Sequence, residues 1–211
     1  MKTLITGFEP FGEHNLNPSQ LLIQTLPDQL QDVELLKTIL PVHHQKASQQ
    51  LLHLIIDQEP DAVISFGLAA GRAKISLERV ALNLLDYTIA DNVGVTIQNQ
   101  PVVEDGPAAY FSTLPLQSML SALNNASIPA EVSLTAGAYL CNQVFYSLMH
   151  TINTRQLPIL GGFIHLPALP DQAAKSKQTM PSMSFELILQ AAEIIISQLE
   201  SLLTTQSTNP I

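Results

Sequence analysis

The chain has 211 residues, 46% of them hydrophobic and only 13% charged, with Gln, Asn, Ser and Thr filling the difference. A chain of this length buries roughly 70% of its unfolded surface and needs no disulfide staples, and its composition excludes a disordered polymer, a coiled coil and a collagen-like fibre. Eighteen acidic residues against nine Lys and Arg leave a formal charge of −9 with no basic cluster, so no nucleic acid and no membrane surface is expected as a partner.

Lys2–Thr6 reads as an apolar strand ending at Gly7, and a Gly-, Pro- and Asn-containing loop follows to Asn17. Asn17-Pro18 starts a helix: Asn caps it, and Pro takes the first helical position, where its missing N–H costs nothing. Pro27 stops that helix, and Val33–Leu40 is a strand closed by Pro41. His43 to Gln58 carries Ala47, Leu51, Leu52, Leu54 and Ile55 at helical spacing. Ala62–Phe66 is a strand ending at Gly67; Ile75–Asn83 reads as strand or helix, its β-branched residues favouring strand. Asp86 to Pro107 is turn-rich and irregular, and Leu116–Asn124 is a helix. Glu131–Thr135 is a strand, Gly137 a turn, and Leu140–Ile152 a helix. Ile159–His165 is the last strand, and a loop containing Pro167, Pro170 and Pro181 follows. Ser182 or Ser184 caps a final helix to about Leu203, with Ile188, Ala191, Ala192, Ile195, Leu199 and Leu202 on one side. The tail from about residue 204 is expected to be disordered.

Strands alternating with helices predict an α/β protein: a three-layer α/β/α sandwich with a mostly parallel central sheet, in one domain spanning residues 1–211. The N-terminus turns polar too soon for a signal peptide, and no run of about 18 apolar residues would span a membrane. One cysteine forms no internal disulfide, which fits a reducing compartment. In an open α/β sheet, sites gather beyond the carboxyl ends of the strands. Four such ends stand out: Gly7-Phe8, Phe66-Gly67, Thr135-Ala136-Gly137 and Ile164-His165.

Cys141 is either a small core hydrophobe or a nucleophile. It starts a predicted helix four residues after Gly137, where free backbone N–H groups and the helix dipole favour a thiolate, and no Asp or Glu neighbours it in sequence. His165 is either a buried structural histidine or a general base. One helix and one return strand fit in the 24 residues between the two, which brings both to the same rim. Glu78 is an uncomfortable charge in an apolar stretch: it pairs with Arg79 or Arg72, or it orients an imidazole as the third member of a triad. His43-His44 and His53 are accompanied by no second ligand cluster at a known metal spacing.

Five collinear blocks carry a resemblance that extends from about Lys2 to Pro170. Thr6-Gly7-Phe8-Glu9-Pro10-Phe11-Gly12 with Asn17-Pro18-Ser19 resembles the N-terminal motif of the pyroglutamyl peptidase I family. Leu77-Glu78-Arg79-Val80-Ala81-Leu82-Asn83 is similar to its segment around the catalytic Glu. Asp91-Asn92 with Gly94, and Gly106 to Phe111, match as well. Thr135-Ala136-Gly137-Ala138-Tyr139-Leu140-Cys141-Asn142 resembles the segment of the nucleophilic Cys, and Gly161-Gly162-Phe163-Ile164-His165-Leu166-Pro167 that of the catalytic His.

The resemblance implies a cytoplasmic cysteine exopeptidase that removes N-terminal pyroglutamate from peptides through a thioester, with no metal or cofactor, and that assembles as a homo-oligomer, commonly a tetramer. Cys141 would be the nucleophile, His165 the acid/base and Glu78 its orienting partner. Phe8 and Phe11 would wall the pocket for a flat, neutral lactam, with Leu68 and Leu140 beside them. Two positions depart from the family pattern. Thr88 stands where the family has Arg, with Ala90 replacing Pro, and Leu68 stands where the family has Gln. These departures leave two alternatives open: a thiol amidase acting on another small amide, and a weak or silent homologue that binds pyroglutamyl ends.

Overall fold

The computed structural model describes residues 1–12 and 15–207, with the backbone alone from residue 200 onward. In chain order the elements are β1 (Lys2–Phe8), α1 (Pro18–Thr25), β2 (Gln29–Leu30), β3 (Val33–Leu40), α2 (Lys46–Gln58), β4 (Ala62–Leu68), β5 (Ile75–Glu78), β6 (Val80–Leu82) and β7 (Ala109–Phe111). Then come α3 (Leu116–Asn125), β8 (Ala130–Ser133), α4 (Leu140–Thr154), β9 (Leu160–Leu166), α5 (Pro170–Lys175) and α6 (Phe185–Ser207).

Seven strands form the central sheet in the order β2-β3-β1-β4-β9-β5-β8, while β6 and β7 form a separate ribbon. β1, β4 and β9 are apolar on both faces, as strands covered by helices on either side must be. Their side chains alternate between two cores. Leu4, Val63 and Phe163 pack with Leu51 and Ile55 of α2 and Val144 and Leu148 of α4. Ile5, Ile64 and Ile164 pack with Leu22 of α1, Met119 of α3 and Ile188 and Ile195 of α6. The sheet lies between these helix layers, which is the three-layer sandwich expected. Among the described residues, no helix is long and apolar enough to cross a membrane.

Four of the six pairings in this sheet are parallel. The exceptions matter for the site. β5 runs antiparallel to β9, with Ser76 opposite His165 and Glu78 opposite Phe163, and β8 follows β5. Glu78 therefore meets His165 as a diagonal neighbour on one sheet face, not as another forward-pointing strand end.

Local chemistry explains most boundaries. Asn17 caps α1 by accepting from Ser19 N at 3.0 Å. The ambiguous Ile75–Asn83 stretch is two strands broken at Arg79, whose N–H is taken by Ser133 O at 2.8 Å. Helix α5 occupies part of the expected Pro-rich loop; Pro170 is tolerated because it begins the helix. Ser184 Oγ accepts from Leu187 N at 3.3 Å and heads α6. That helix runs to Ser207, past the expected end near Leu203, because each added residue gains a hydrogen bond once a helix is nucleated. The Leu202 side chain and residues 208–211 of the tail lie outside the described residues.

Candidate active site

Cys141 is the second residue of α4, after Tyr139 as N-cap and Leu140. Gly137, at φ 80°, turns the chain into the helix in a conformation that side chains resist. Asn142, fully buried, then fastens the helix start: its Oδ1 accepts from Leu82 N (2.9 Å), and its Nδ2 donates to Leu82 O (2.8 Å) and Leu84 O (3.0 Å). The first intrahelical bond is Gln143 N to Tyr139 O at 3.0 Å, so the amides of residues 140–142 precede the helical ladder.

Across from the sulfur is Gly67 of β4. A Cβ built there would stand 2.8 Å from Cys141 Sγ and 2.8 Å from Phe163, so only a glycine leaves the thiol its room. His165, near the end of β9 and 4% exposed, stacks obliquely on Phe163 at 4.9 Å. Its Nδ1 lies 2.8 Å from Glu78 Oε1. If that nitrogen donates, Nε2 is left as the free base. The same Oε1 accepts from Arg72 Nη1 at 2.6 Å, while Arg72 also donates to Ser133 Oγ (3.2 Å) and Thr135 O (2.8 Å). Glu78 thus has both proposed partners at once, an arginine and the imidazole. The arginine is Arg72; Arg79 faces a separate groove with Phe111 and Ser112.

Cys141 and His165 line one cavity of about 200 Å³. All four expected substrate-contacting residues, Phe8, Phe11, Leu68 and Leu140, line it too. Sequence reasoning missed Tyr139, Val42 and the pocket-facing role of Arg72. Arg72 carried a usable signal, as one of nine cations placed in the loop after β4; Val42 carried none. The Phe8–Phe11 loop is held rigidly: Phe8 N donates to Ser19 Oγ, Asn17 Nδ2 to Glu9 O, and Glu9 Oε1 accepts from Val42 N and Asn92 Nδ2.

The electrostatics differ from the sequence expectation of a helix-stabilised thiolate. Burial pushes the Cys141 thiol up to about 12, and the Glu78 charge adds to it; the Arg72 guanidinium and the cysteine's own N–H oppose. Residues near in sequence carry no acid, but the sheet delivers one. Burial likewise draws His165 below its ordinary value, against the push of Glu78. Both shifts favour the neutral thiol and the neutral imidazole.

The departure at Thr88 leaves an exposed side chain there, and no arginine from that segment reaches the cavity. The segment is secured by other contacts. Tyr87 OH donates to Gln143 Oε1, the Tyr87 ring meets Tyr139 edge-on at 4.7 Å, and Tyr139 OH donates to Ala90 O at 3.2 Å. His43, His44 and Asp91 bring ligand-type atoms within 4.8 Å of one another. Asp91 is already engaged, however: Oδ2 accepts from His44 N and lies 2.8 Å from His44 Nδ1, and Oδ1 accepts from Val93 N and Val95 N. Burial acts to raise its pKa, but these donors outweigh it and hold the carboxyl at about 2. The cluster clamps the irregular segment; His53 is exposed and apart from it.

Comparison with known proteins places the chain in a family. The model of the pyroglutamyl peptidase family matches residues 1–201. The pyrrolidone-carboxylate peptidase of Thermococcus onnurineus is 45% identical over 196 residues, covering 93% of this chain and 97% of that protein. That of Vibrio vulnificus is 43% identical, covering 92% and 91%. Among solved structures, pyrrolidone carboxyl peptidase from Pyrococcus furiosus superposes with a TM-score of 0.92 at 40% identity, over 96% of this chain and all of that one. Pyroglutamyl peptidase I of Bacillus amyloliquefaciens gives 0.88 at 36% identity, over 92% and 94%. Fold and likeness together define the class, a cysteine peptidase on an α/β/α sandwich. Within that class, the chain belongs to the pyroglutamyl peptidase family.

Proposed function

We propose that the protein hydrolyses the amide bond after an N-terminal pyroglutamate, with Cys141 as nucleophile, His165 as acid/base and Glu78 as its orienting partner. The observation that carries this reading is the shared cavity of Cys141 and His165, with His165 bonded to Glu78. His165 Nε2 takes the thiol proton as Sγ attacks the lactam-bearing carbonyl. The oxyanion that forms is met by the first-turn amides of α4, aimed from a helix start. The imidazolium returns its proton to the leaving amine, and a thioester remains on Sγ. Water, deprotonated by His165, then hydrolyses the thioester and frees pyroglutamate and thiol.

Pyroglutamate has no α-ammonium, so its site needs no counter-charge, and the apolar walls of Phe8, Phe11, Leu68 and Leu140 suit a flat neutral ring. A space of about 200 Å³ suits one such ring and little more. Burial raises the thiol and lowers the imidazole, so the site favours the neutral pair before substrate arrives, and proton transfer to His165 is the step that activates Sγ. Arg72 acts through Glu78 as a positioning residue. The family resemblance supports a homo-oligomer, which light scattering on the purified protein tests, and the lone free cysteine fits the reducing cytoplasm.

The experiment is cleavage of a pyroglutamyl fluorogenic amide and a pyroglutamyl peptide, with Cys141→Ala as control. Release of free pyroglutamate by the native chain alone supports the assignment. No release above the variant overturns it.

A further inference from the structure

The cavity at Cys141 holds a single ring, so the peptide beyond the scissile bond has to lie elsewhere. A second depression, of about 720 Å³, shares the wall formed by Phe11. Its sides come from segments of the same rim: Leu16 after β1, Ile89 and Ala90 of the irregular segment, and the chain that follows His165 through α5. Ala90 is also the carbonyl to which Tyr139, a wall of the reactive cavity, donates. The partition between the two spaces is thus Phe11, Tyr139 and Ala90. The floor is built, since buried Gln172 accepts from Leu169 N (2.9 Å) and donates to Leu16 O (3.1 Å).

The described lining of this groove is opposite in charge to the protein as a whole. The chain carries −9 overall, yet among the described residues Lys175 and Lys177 line the groove against one carboxylate, Asp171. Asp171 is taken by Lys175 at 2.7 Å. Lys177 is exposed and pairs with no carboxylate among the described residues. Among the described residues, no other cation lines the space.

We infer that this groove receives the residues that follow pyroglutamate and that Lys177 selects a carboxylate among the first few of them. The inference rests on the proposed pyroglutamyl specificity and names what that site prefers downstream. The carboxylate comes either from an acidic side chain or from the end of a short peptide.

Three peptides separate these sources: pyroglutamyl-Ala-Ala-Ala-amide, the same peptide as the free acid, and pyroglutamyl-Ala-Glu-Ala-amide. Their kcat/KM values are compared for the native chain, Lys177→Gln and Lys177→Arg, each normalised to the fluorogenic amide. An exposed ion pair is worth up to about 1 kcal/mol, so a preference of about threefold to fivefold for a carboxylate-bearing peptide over the neutral amide is expected. It should disappear in Lys177→Gln, persist in Lys177→Arg and shrink at high salt. Equal values across the three peptides, or a preference untouched in Lys177→Gln, overturns the inference. Calorimetric binding of the same peptides to Cys141→Ala protein reads the groove independently of turnover. If the native chain cleaves no pyroglutamyl substrate, the proposed function fails while this binding series still decides the groove.

Discussion

Gly67 shows how narrow the tolerances around the Cys141 sulfur are. Alanine there would set its methyl against both Sγ and the Phe163 ring, each 2.8 Å away. Overpacking of this kind costs about 1–3 kcal/mol, and relief of the clash displaces the sulfur of the proposed nucleophile. Gly67→Ala is therefore expected to fold with a lower melting temperature and to lose at least about tenfold in kcat/KM, as a misplaced reacting group does; undiminished turnover would contradict the packing described. The imidazole makes a pH prediction. Its folded-state pKa lies below the ordinary value, so the acid limb of the kcat/KM profile should have a midpoint below about 6.5. Because Glu78 pushes His165 upward, Glu78→Gln should move that midpoint lower still while reducing the rate. The sign for stability follows: the unfolded chain binds the proton more readily, so stability present above about pH 6.5 is lost as the pH falls below it. A midpoint above 6.5 would contradict the buried, neutral histidine.

At the scale of elements, the helix that carries the thiol is held less by propensity than by Asn142. Asn142→Ala strands the Leu82 N–H and the Leu82 and Leu84 carbonyls. Unsatisfied buried polar groups cost about 1–3 kcal/mol each. These groups are only part-buried, so denaturant titration should show a loss of about 1–3 kcal/mol, and a loss under about 0.5 kcal/mol would mean that Asn142 does not hold the helix. Legibility in the sequence followed locality. Asn17-Pro18 announced α1, Pro41 closed the strand Val33–Leu40, and Cys141 and His165 stood at recognisable element ends. Non-local relations were not legible. Nothing near Ile75–Glu78 in the chain says that it pairs antiparallel with β9, so the approach of Glu78 to Cys141, and its upward push on the thiol, became visible only in three dimensions. Arg72 and Arg79 were equal candidates for Glu78 until the fold turned one away. Helix α5 was hidden behind Pro170, which reads as a loop residue unless its place at a helix start is known.

For the molecule as a whole, the two cores are joined through one sheet whose strands contribute alternate residues to each. Neither core can melt and leave the other its strands. Calorimetry should therefore show one transition, with calorimetric and van't Hoff enthalpies equal for the unit that unfolds; two resolved transitions would contradict the single-domain expectation for residues 1–211. The low share of charged residues and the net charge of −9 leave Lys177 as an exposed cation on the rim, where a substrate effect of salt is expected.

The most direct test of the chemistry is to trap its intermediate. The native chain is mixed with a pyroglutamyl ester, quenched in acid within the first turnover, digested and mapped by mass spectrometry. A pyroglutamyl group on the peptide containing Cys141, absent from Cys141→Ala protein and accumulating when His165 is replaced by Gln only if the ester is activated, is the expected result. Rapid substrate turnover with the acyl group on any other residue, or with Cys141→Ala protein equally active, would contradict the thiol–imidazole–carboxylate site.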